Sequence, residues 1–279
     1  MIRINKNPVA PAILLGAGAI KTNSLKKAYS DNPAHYISAP GVKIKSLTPM
    51  DFDSDIYGDS TVKAQLITDQ HEKCCFCESK FTDNSYGDVE HFRPKAAYQK
   101  LNSTKLNYPG YYWLTYDWNN LMFSCEKCNR SYKRSQFPLQ NEGTRKPYHD
   151  HPNSIANEDI LLINPNEEDP GIHITFIAHE PHPIGNSQRG AKTIDVFKLR
   201  RLNGSRLEYL NILKLALTWA KVDVTDEKQI NLAMETFAFS RDQVIELANK
   251  GNDLYHSAAK DSSKFAHCVR INFPHLPTI

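Results

Sequence analysis

The sequence contains no hydrophobic run that approaches the roughly 20 residues needed to span a bilayer, and its mean hydropathy is −0.53. It has no internal repeat, no low-complexity tract and no marked excess of one charge, since the formal net charge is +3. The apolar part of the first 20 residues is interrupted by Pro8, Pro11, Gly16 and Gly18, unlike a signal peptide. We therefore expect a cytoplasmic, globular protein with no membrane partner.

Composition and patterning divide the chain into three regions. Residues 1–47 carry scattered Pro and Gly with little periodicity, and we expect an N-terminal arm that docks on a partner. Residues 48–146 hold the motifs described below. Residues 147–279 begin with two segments of strand character, 160–164 and 172–177, and turn helical from about residue 188. We expect this third region to bind a partner.

Six cysteines are present, and four of them form two CxxC pairs: Cys74, Cys77, Cys125 and Cys128. Four thiolates suit a closed, tetrahedral structural zinc site. The pairs are separated by residues 78–124, so we expect the zinc to clamp the ends of an inserted module. A redox-active CxxC pair is the alternative. Cys75 is expected to be a neighbour of the zinc site, and Cys268 a buried apolar residue on a late helix.

A helix is predicted from residue 61 to about 72, capped by Asp59 or Ser60, and it leads directly into the first pair. Residues 86–94 are predicted to form a turn and a short strand that Pro94 ends. The aromatic stretch 111–118 could stack on bases, but such residues are mainly buried apolar mass, and we expect most of it in the core.

Four polar residues between and around the pairs match the needs of phosphodiester hydrolysis: Glu90, His91, Asn120 and Asn129. His91 suits a general base because imidazole titrates near neutrality. Glu90 and Asn129 offer oxygen ligands, which favour Mg²⁺ or Mn²⁺ over zinc. The Asn120 amide can hold the chain beside His91 in place. The alternative is a zinc-bound structural domain with incidental polar residues.

The charge near these residues differs from that of the whole chain. Residues 90–146 contain ten Lys or Arg and four acids, a local balance of +6. Such a basic segment favours phosphate binding, although a solvated loop face is the alternative for any single lysine. The candidate nucleic-acid contacts are Arg93, Lys95, Arg130, Lys133 and Arg134.

The order CxxC, acid-His, Asn-Leu, CxxC-Asn resembles the HNH endonucleases of the ββα-metal superfamily. This resemblance implies an α+β fold in which a zinc-braced ββα-metal nuclease module lies between an N-terminal arm and a mainly helical C-terminal region. It implies His91 as the general base, Glu90 and Asn129 as ligands of one catalytic metal, and Asn120 as the middle asparagine of the motif. Many members have a lysine three residues after the third motif position. Here that residue is Tyr132, and Lys133 and Arg134 follow it.

Further segments resemble one subfamily, the PtuB nucleases of Septu-type and retron-linked anti-phage defence. They include Cys-Cys-Phe-Cys-Glu-Ser-Lys80, the segment from Tyr86 to Lys95, and Cys-Asn-Arg-Ser-Tyr-Lys133. The resemblance covers about residues 1–215. It implies an effector subunit that works with an ABC- or SMC-like ATPase of the PtuA kind. In some systems a reverse transcriptase and its RNA–DNA product take part as well.

Three hypotheses follow for the function. The first is a Mg²⁺- or Mn²⁺-dependent endonuclease with DNA as the default substrate. The second keeps the same site but makes RNA, such as tRNA, the substrate. The third is a non-catalytic, zinc-stabilised adaptor that binds nucleic acid. Residues 221–249 contain six acids against three basic residues, which suits a protein partner better than nucleic acid.

Overall fold

The computed structural model describes residues 1–39, 47–82 and 84–278. The N-terminal region is mainly helical: a π-helical turn, Leu14–Gly18, runs directly into α1, Ala19–Asp31. Leu25 and Tyr29 lie one turn apart on α1, and both are buried. The expected arm thus contains a helix, whose weakly amphipathic sequence gives little periodic signal. Positions 40–46 of the expected arm lie outside the described residues, and its docking role stays a prediction.

Two short helices follow and lead to the first cysteine pair. They are α2, Ser54–Tyr57, and α3, Ser60–Asp69, which Asp59 caps by accepting a hydrogen bond from the Thr61 amide at 2.8 Å. The inner face of α3 buries Val62 and Leu66 completely. The helix predicted from residue 61 is thus confirmed, but it ends three residues before position 72. It stops because the chain takes positive φ angles at positions 71 and 72 and turns toward the cysteines.

The strands near the candidate site form two small antiparallel sheets. Strand β1, Asp88–His91, pairs with β4, Leu121–Ser124, so that Asp88 faces Ser124 and His91 faces Leu121. The intervening chain carries β2, Tyr98–Gln99, and β3, Leu106–Asn107, which pair with each other. Immediately after β4 comes the site helix, Lys127–Lys133, wound as a π-helix. The aromatic segment between β3 and β4 is core, as expected, because all its large rings are buried.

Up to residue 278, the C-terminal region contains one hairpin and five α-helices. Strands β5, Ile174–Ile177, and β6, Glu180–Pro183, form the hairpin. The helices are α4, Gln188–Val196; α5, Asn203–Trp219; α6, Glu227–Phe237; α7, Arg241–Ser257; and α8, Ala266–Asn272. Helices α5 and α7 meet at Gly251, where a side chain would lie 2.4 Å from the Ala216 carbonyl oxygen. The helical character expected from about residue 188 is therefore confirmed.

One predicted strand is wrong. The apolar segment 160–164 lies buried without strand pairing, apart from a single bridge between Ile160 and Leu139. The Leu161 amide donates to the Pro138 carbonyl at 3.1 Å as part of this bridge, whereas the Ile163 amide donates to a side chain, Thr193 Oγ1, at 3.0 Å. Within the described part of the chain, no helix is long and apolar enough to cross a membrane.

Candidate metal and catalytic sites

The four cysteines of the two CxxC pairs come together. The sulfur atoms of Cys74, Cys77, Cys125 and Cys128 all lie within 4.8 Å of one another. Three of the side chains are buried and Cys125 is half-buried. Four converging thiols are the donor set that zinc prefers, so these residues would hold a structural metal such as zinc. The Arg201 guanidinium donates to Cys128 Sγ at 3.2 Å and would offset part of the negative charge of four thiolates.

The metal site joins three parts of the chain. The first pair follows the turn after α3, and the second pair follows β4 and opens the site helix. Glu78, next to Cys77, is buried and accepts hydrogen bonds from the late chain, including the His267 amide at 3.4 Å. The Phe265 amide donates to the Glu78 carbonyl at 3.2 Å. The first pair is thus fixed to residues almost 190 positions further on.

The other two cysteines lie outside the metal site, as predicted. Cys75 is buried and its amide donates to the Phe123 carbonyl at 3.0 Å, while burial raises the pKa of its thiol well above the usual value. Cys268 lies on α8, where it is 1% exposed. Both therefore behave as apolar packing residues.

Glu90 and His91 end strand β1 at the wall of a cleft of about 160 Å³ that also reaches Asn129 on the site helix. The His91 ring lies with Nε2 3.0 Å from the Thr115 carbonyl oxygen. A carbonyl only accepts hydrogen bonds, so Nε2 carries the proton and Nδ1 keeps a free lone pair. Tyr57 packs edge-on against the ring at 4.8 Å between centroids. Burial holds the pKa of His91 well below its usual value, and nearby Lys95 adds to this, so the ring is neutral at pH 7.

Asn120 fixes the chain that follows His91. Its Oδ1 accepts from the Arg93 amide at 2.7 Å, and its Nδ2 donates to the Arg93 carbonyl at 3.0 Å and to the Leu114 carbonyl at 3.1 Å. Asn120 is buried and does not line the cleft. It is therefore a positioning residue rather than a group that touches the reacting atoms.

Lys133 does not face the solvent. Its ammonium lies 2.5 Å from Glu90 Oε1 and donates to the His91 carbonyl at 2.9 Å, and the side chain has no exposed surface. Burial raises the pKa of Glu90, and the adjacent Lys133 charge opposes that rise. The expectation that Lys133 contacts nucleic acid is wrong for this conformation, because its charge is already paired inside the protein.

Asp88 controls how Asn129 presents its amide. Asn129 Nδ2 donates to Asp88 Oδ2 at 3.1 Å, and Arg130 donates to both oxygens of the same carboxylate. A carboxylate cannot donate, so the amide nitrogen must face Asp88 and Asn129 Oδ1 points elsewhere. Glu90 and Asn129 both line the cleft, and carboxylate and amide oxygens are ligand types that fit a hard divalent cation.

The remaining candidate phosphate contacts differ in exposure. Lys95 lines the cleft and is half-buried, while Arg134 lines it and is exposed. Arg130 is 65% exposed but is bound to Asp88. Arg93 is buried and donates to Glu158 Oε2 at 3.0 Å. The expected nucleic-acid contact by Arg93 is therefore wrong, because its guanidinium is held by the buried Glu158 carboxylate.

Sequence reasoning missed three parts of this site: the Thr115 carbonyl, the Tyr57 ring and the buried Lys133–Glu90 pair. A contact with a backbone carbonyl does not depend on the residue type, so the sequence does not reveal it. Tyr57 belongs to a short helix that carries no recognisable motif. The pairing of Lys133 could have been inferred from its position, since it follows Asn129 by about one helical turn and faces β1.

The chain is similar to two named proteins. It is 34% identical to the Septu protein PtuB of Bacillus mycoides strain KBAB4 over 223 residues, which cover 74% of this chain and 74% of that protein. It is 27% identical to the Septu protein PtuB of Bacillus thuringiensis over 161 residues, which cover 57% of this chain and 48% of that protein. No protein-family model matches the chain, and no solved structure matches it.

Proposed function

The chain belongs to the family of the Septu protein PtuB, and from this premise we propose that it is a metal-dependent endonuclease of the HNH type. Its proposed role is the effector subunit of an ATPase-associated anti-phage complex, with DNA as the favoured substrate. The observation that carries this proposal is the His91 ring. Its Nε2 donates a hydrogen bond to the Thr115 carbonyl. The neutral ring lines the same cleft as Glu90 and Asn129, the proposed metal ligands.

The arrangement of elements supports the same proposal. An antiparallel strand pair is followed directly by a helix, and the cleft lies where β1 and the site helix meet. This is the order of elements expected for a ββα-metal module. The four cysteines would brace it with zinc from outside the cleft.

In the proposed mechanism His91 Nδ1 accepts a proton from water as the water oxygen bonds to phosphorus. The P–O bond on the opposite side of the phosphorus breaks, and the leaving oxygen takes up a proton from solvent. Glu90 and Asn129 would hold a Mg²⁺ or Mn²⁺ ion, which supplies charge stabilisation for the phosphoryl group and the leaving oxygen. Lys95 and Arg134 bind the nonbridging oxygens at the rim of the cleft. Asn120 keeps the His91 ring beside the Thr115 carbonyl, because its side chain binds the backbone of Arg93 and of Leu114.

The partners are also part of the proposal. We assign a PtuA-like ABC or SMC-type ATPase as the main partner, with a reverse transcriptase and its RNA–DNA product as further partners in retron-linked systems. Helices α5 and α6 expose large apolar side chains at Ile212, Leu215, Leu232 and Phe237, which supports a protein contact in the region 147–279. A cytoplasmic location follows from this assignment.

The test is cleavage by the complex with its ATPase. Plasmid DNA and total tRNA are incubated separately with the complex, with Mg²⁺ or with EDTA. We expect the plasmid to be cut in Mg²⁺ only, and His91→Ala to lose at least about 100-fold in rate, the scale of a general base. Cutting of tRNA alone would replace DNA by RNA as substrate. Binding without cleavage would support the adaptor, and full activity of His91→Ala would overturn the mechanism.

A further inference from the structure

An apolar cavity of about 410 Å³ opens beside the catalytic cleft, within the range of about 300–1,000 Å³ typical of ligand sites. Ala96 lines both the cavity and the cleft that holds Glu90 and His91. The cavity is lined mainly by rings and other apolar groups: Tyr36, Met50, Phe52, Ala96, Tyr108 and Pro109. A site for a flat aromatic group therefore adjoins the site proposed for a phosphate.

The cavity walls are held in place by the backbone. The Gly110 amide donates to the Ala96 carbonyl at 2.8 Å, and a side chain at position 110 would lie 2.4 Å from the Pro94 carbonyl oxygen. On the other side, Tyr108 exchanges two hydrogen bonds with Ser38, at 2.9 and 3.0 Å. The Tyr108 side of the cavity is thus fixed to the chain after α1 through Ser38 and to the loop that follows His91 through Gly110.

Lys95 places a positive charge between the apolar cavity and the catalytic cleft. Its ammonium lies 4.6 Å from the centre of the Tyr57 ring and 5.9 Å from the centre of the Phe52 ring. It also lines the catalytic cleft, while Phe52 lines the cavity. A nucleotide has the matching chemistry, because its phosphate and its aromatic base are joined through one sugar.

We infer that the cavity accepts one unpaired base of the substrate, next to the phosphate that is cut. The substrate class is then a single-stranded segment of DNA or RNA, or a duplex that releases one base. A paired and stacked base cannot reach the rings without unstacking, which costs a few kcal/mol. This inference rests on the nuclease function proposed above and goes further by naming the form of the substrate.

The experiment measures binding, not cleavage, with the full chain in a buffer without added Mg²⁺ or Mn²⁺ and without chelator, so that the cysteine site keeps its metal. The probes are a short fluorescein-labelled single strand, as DNA and as RNA, the same DNA strand in a duplex, and single strands with one abasic position moved along the sequence. The variants are Phe52→Ala, which removes a ring from the cavity, and Ala96→Leu, which narrows the cavity from an exposed position without removing core packing. Phe237→Ala is the matched control, because it removes an exposed ring on α6.

We expect single strands to bind more tightly than the duplex. Phe52→Ala and Ala96→Leu should each weaken single-strand binding about 5- to 100-fold, the scale of one stacked base. Phe237→Ala should not. One abasic position should weaken binding to the unmodified chain but have little further effect in Phe52→Ala.

Equal single-strand affinity for the unmodified chain and both cavity variants would overturn the inference while leaving the nuclease function standing. Tighter binding of the duplex than of the single strand would also overturn the inference and leave the nuclease function standing. Failure of the unmodified chain to bind any nucleic acid would also overturn the inference, whereas the nuclease function is overturned only by the cleavage test of the complex.

Discussion

Lys133 Nζ lies 2.5 Å from Glu90 Oε1, and both side chains are shielded from solvent. The pair joins the last residue of the site helix to the strand that carries the proposed general base. Because both side chains are almost completely buried, each charge depends on the other. Lys133 is therefore part of the frame of the cleft, and it sets the charge next to one of the proposed metal ligands.

Removing the lysine charge should destabilise the fold. Lys133→Met keeps a long apolar stem but leaves the Glu90 carboxylate buried and unpaired, which typically costs about 3–5 kcal/mol. Urea unfolding at pH 7 measures this loss. The double variant Lys133→Met, Glu90→Gln should recover much of the lost free energy of unfolding, since no unpaired charge remains. A single variant as stable as the unmodified chain would show that the pair does not form.

The zinc site should be needed for stability. Cys128→Ser removes one of the four sulfur ligands, so the purified chain should lose its zinc and several kcal/mol of folding free energy. In a domain of this size that corresponds to a melting temperature lower by roughly 10 °C or more. Cys75→Ser is the matched control, because Cys75 lies beside the site but outside the four converging sulfurs. Zinc content by mass spectrometry and thermal melting measure both effects. Retention of one zinc per Cys128→Ser chain would contradict the assignment.

Asp88 should tune metal binding without touching the metal. In Asp88→Asn the neutral amide no longer requires Asn129 Nδ2 to face it, so the Asn129 oxygen loses its fixed orientation. Loss of such an outer contact typically costs about 10- to 100-fold in metal affinity. Mn²⁺ binding followed by electron paramagnetic resonance gives the affinity directly. Asp195→Asn, which alters an exposed carboxylate bound to Lys198 on the surface, should bind Mn²⁺ normally. Unchanged Mn²⁺ affinity in Asp88→Asn would contradict the role of Asp88 in orienting Asn129.

His267 should make the fold less stable in acid. Burial lowers its pKa from 6.5 to about 4, so between these values the unfolded chain binds more protons than the folded one. The stability that the neutral ring contributes is complete above pH 6.5 and is lost as the pH falls toward 4. The free energy of unfolding should fall by roughly 2 kcal/mol from this residue between pH 7 and pH 5.

Denaturant unfolding at the two pH values tests the His267 effect. His267→Phe keeps the ring that packs against Phe176 and should show a drop smaller by that amount. His182→Phe changes a half-exposed histidine on β6 and should leave the drop unchanged. An identical pH dependence in His267→Phe would show that His267 does not titrate in this way.

The sequence predicted the parts of the site that depend on residue type and spacing. The four clustered cysteines and the short strand before Pro94 carry local signals that the structure retains. The apolar run 160–164 had a strand pattern, but its amides find loop and side-chain partners, and a pattern of burial alone cannot reveal which.

The assignment of charged residues was less predictable. Arg93 and Lys133 look like surface cations in a basic segment, yet each has a buried carboxylate partner, Glu158 or Glu90. Glu158 is 65 positions from Arg93, so only the tertiary fold brings the two together. The local sequence gives the number of charged residues, but it does not show which of them are free to bind a phosphate.

The contacts of Glu78 set the order in which this protein can be completed. Glu78, next to Cys77, accepts hydrogen bonds from the amides of Phe265 and His267, which the ribosome makes long after residues 74–128. A nascent chain therefore cannot complete the surroundings of Glu78 until residue 267 has been synthesised, and a product that stops before residue 265 lacks both contacts.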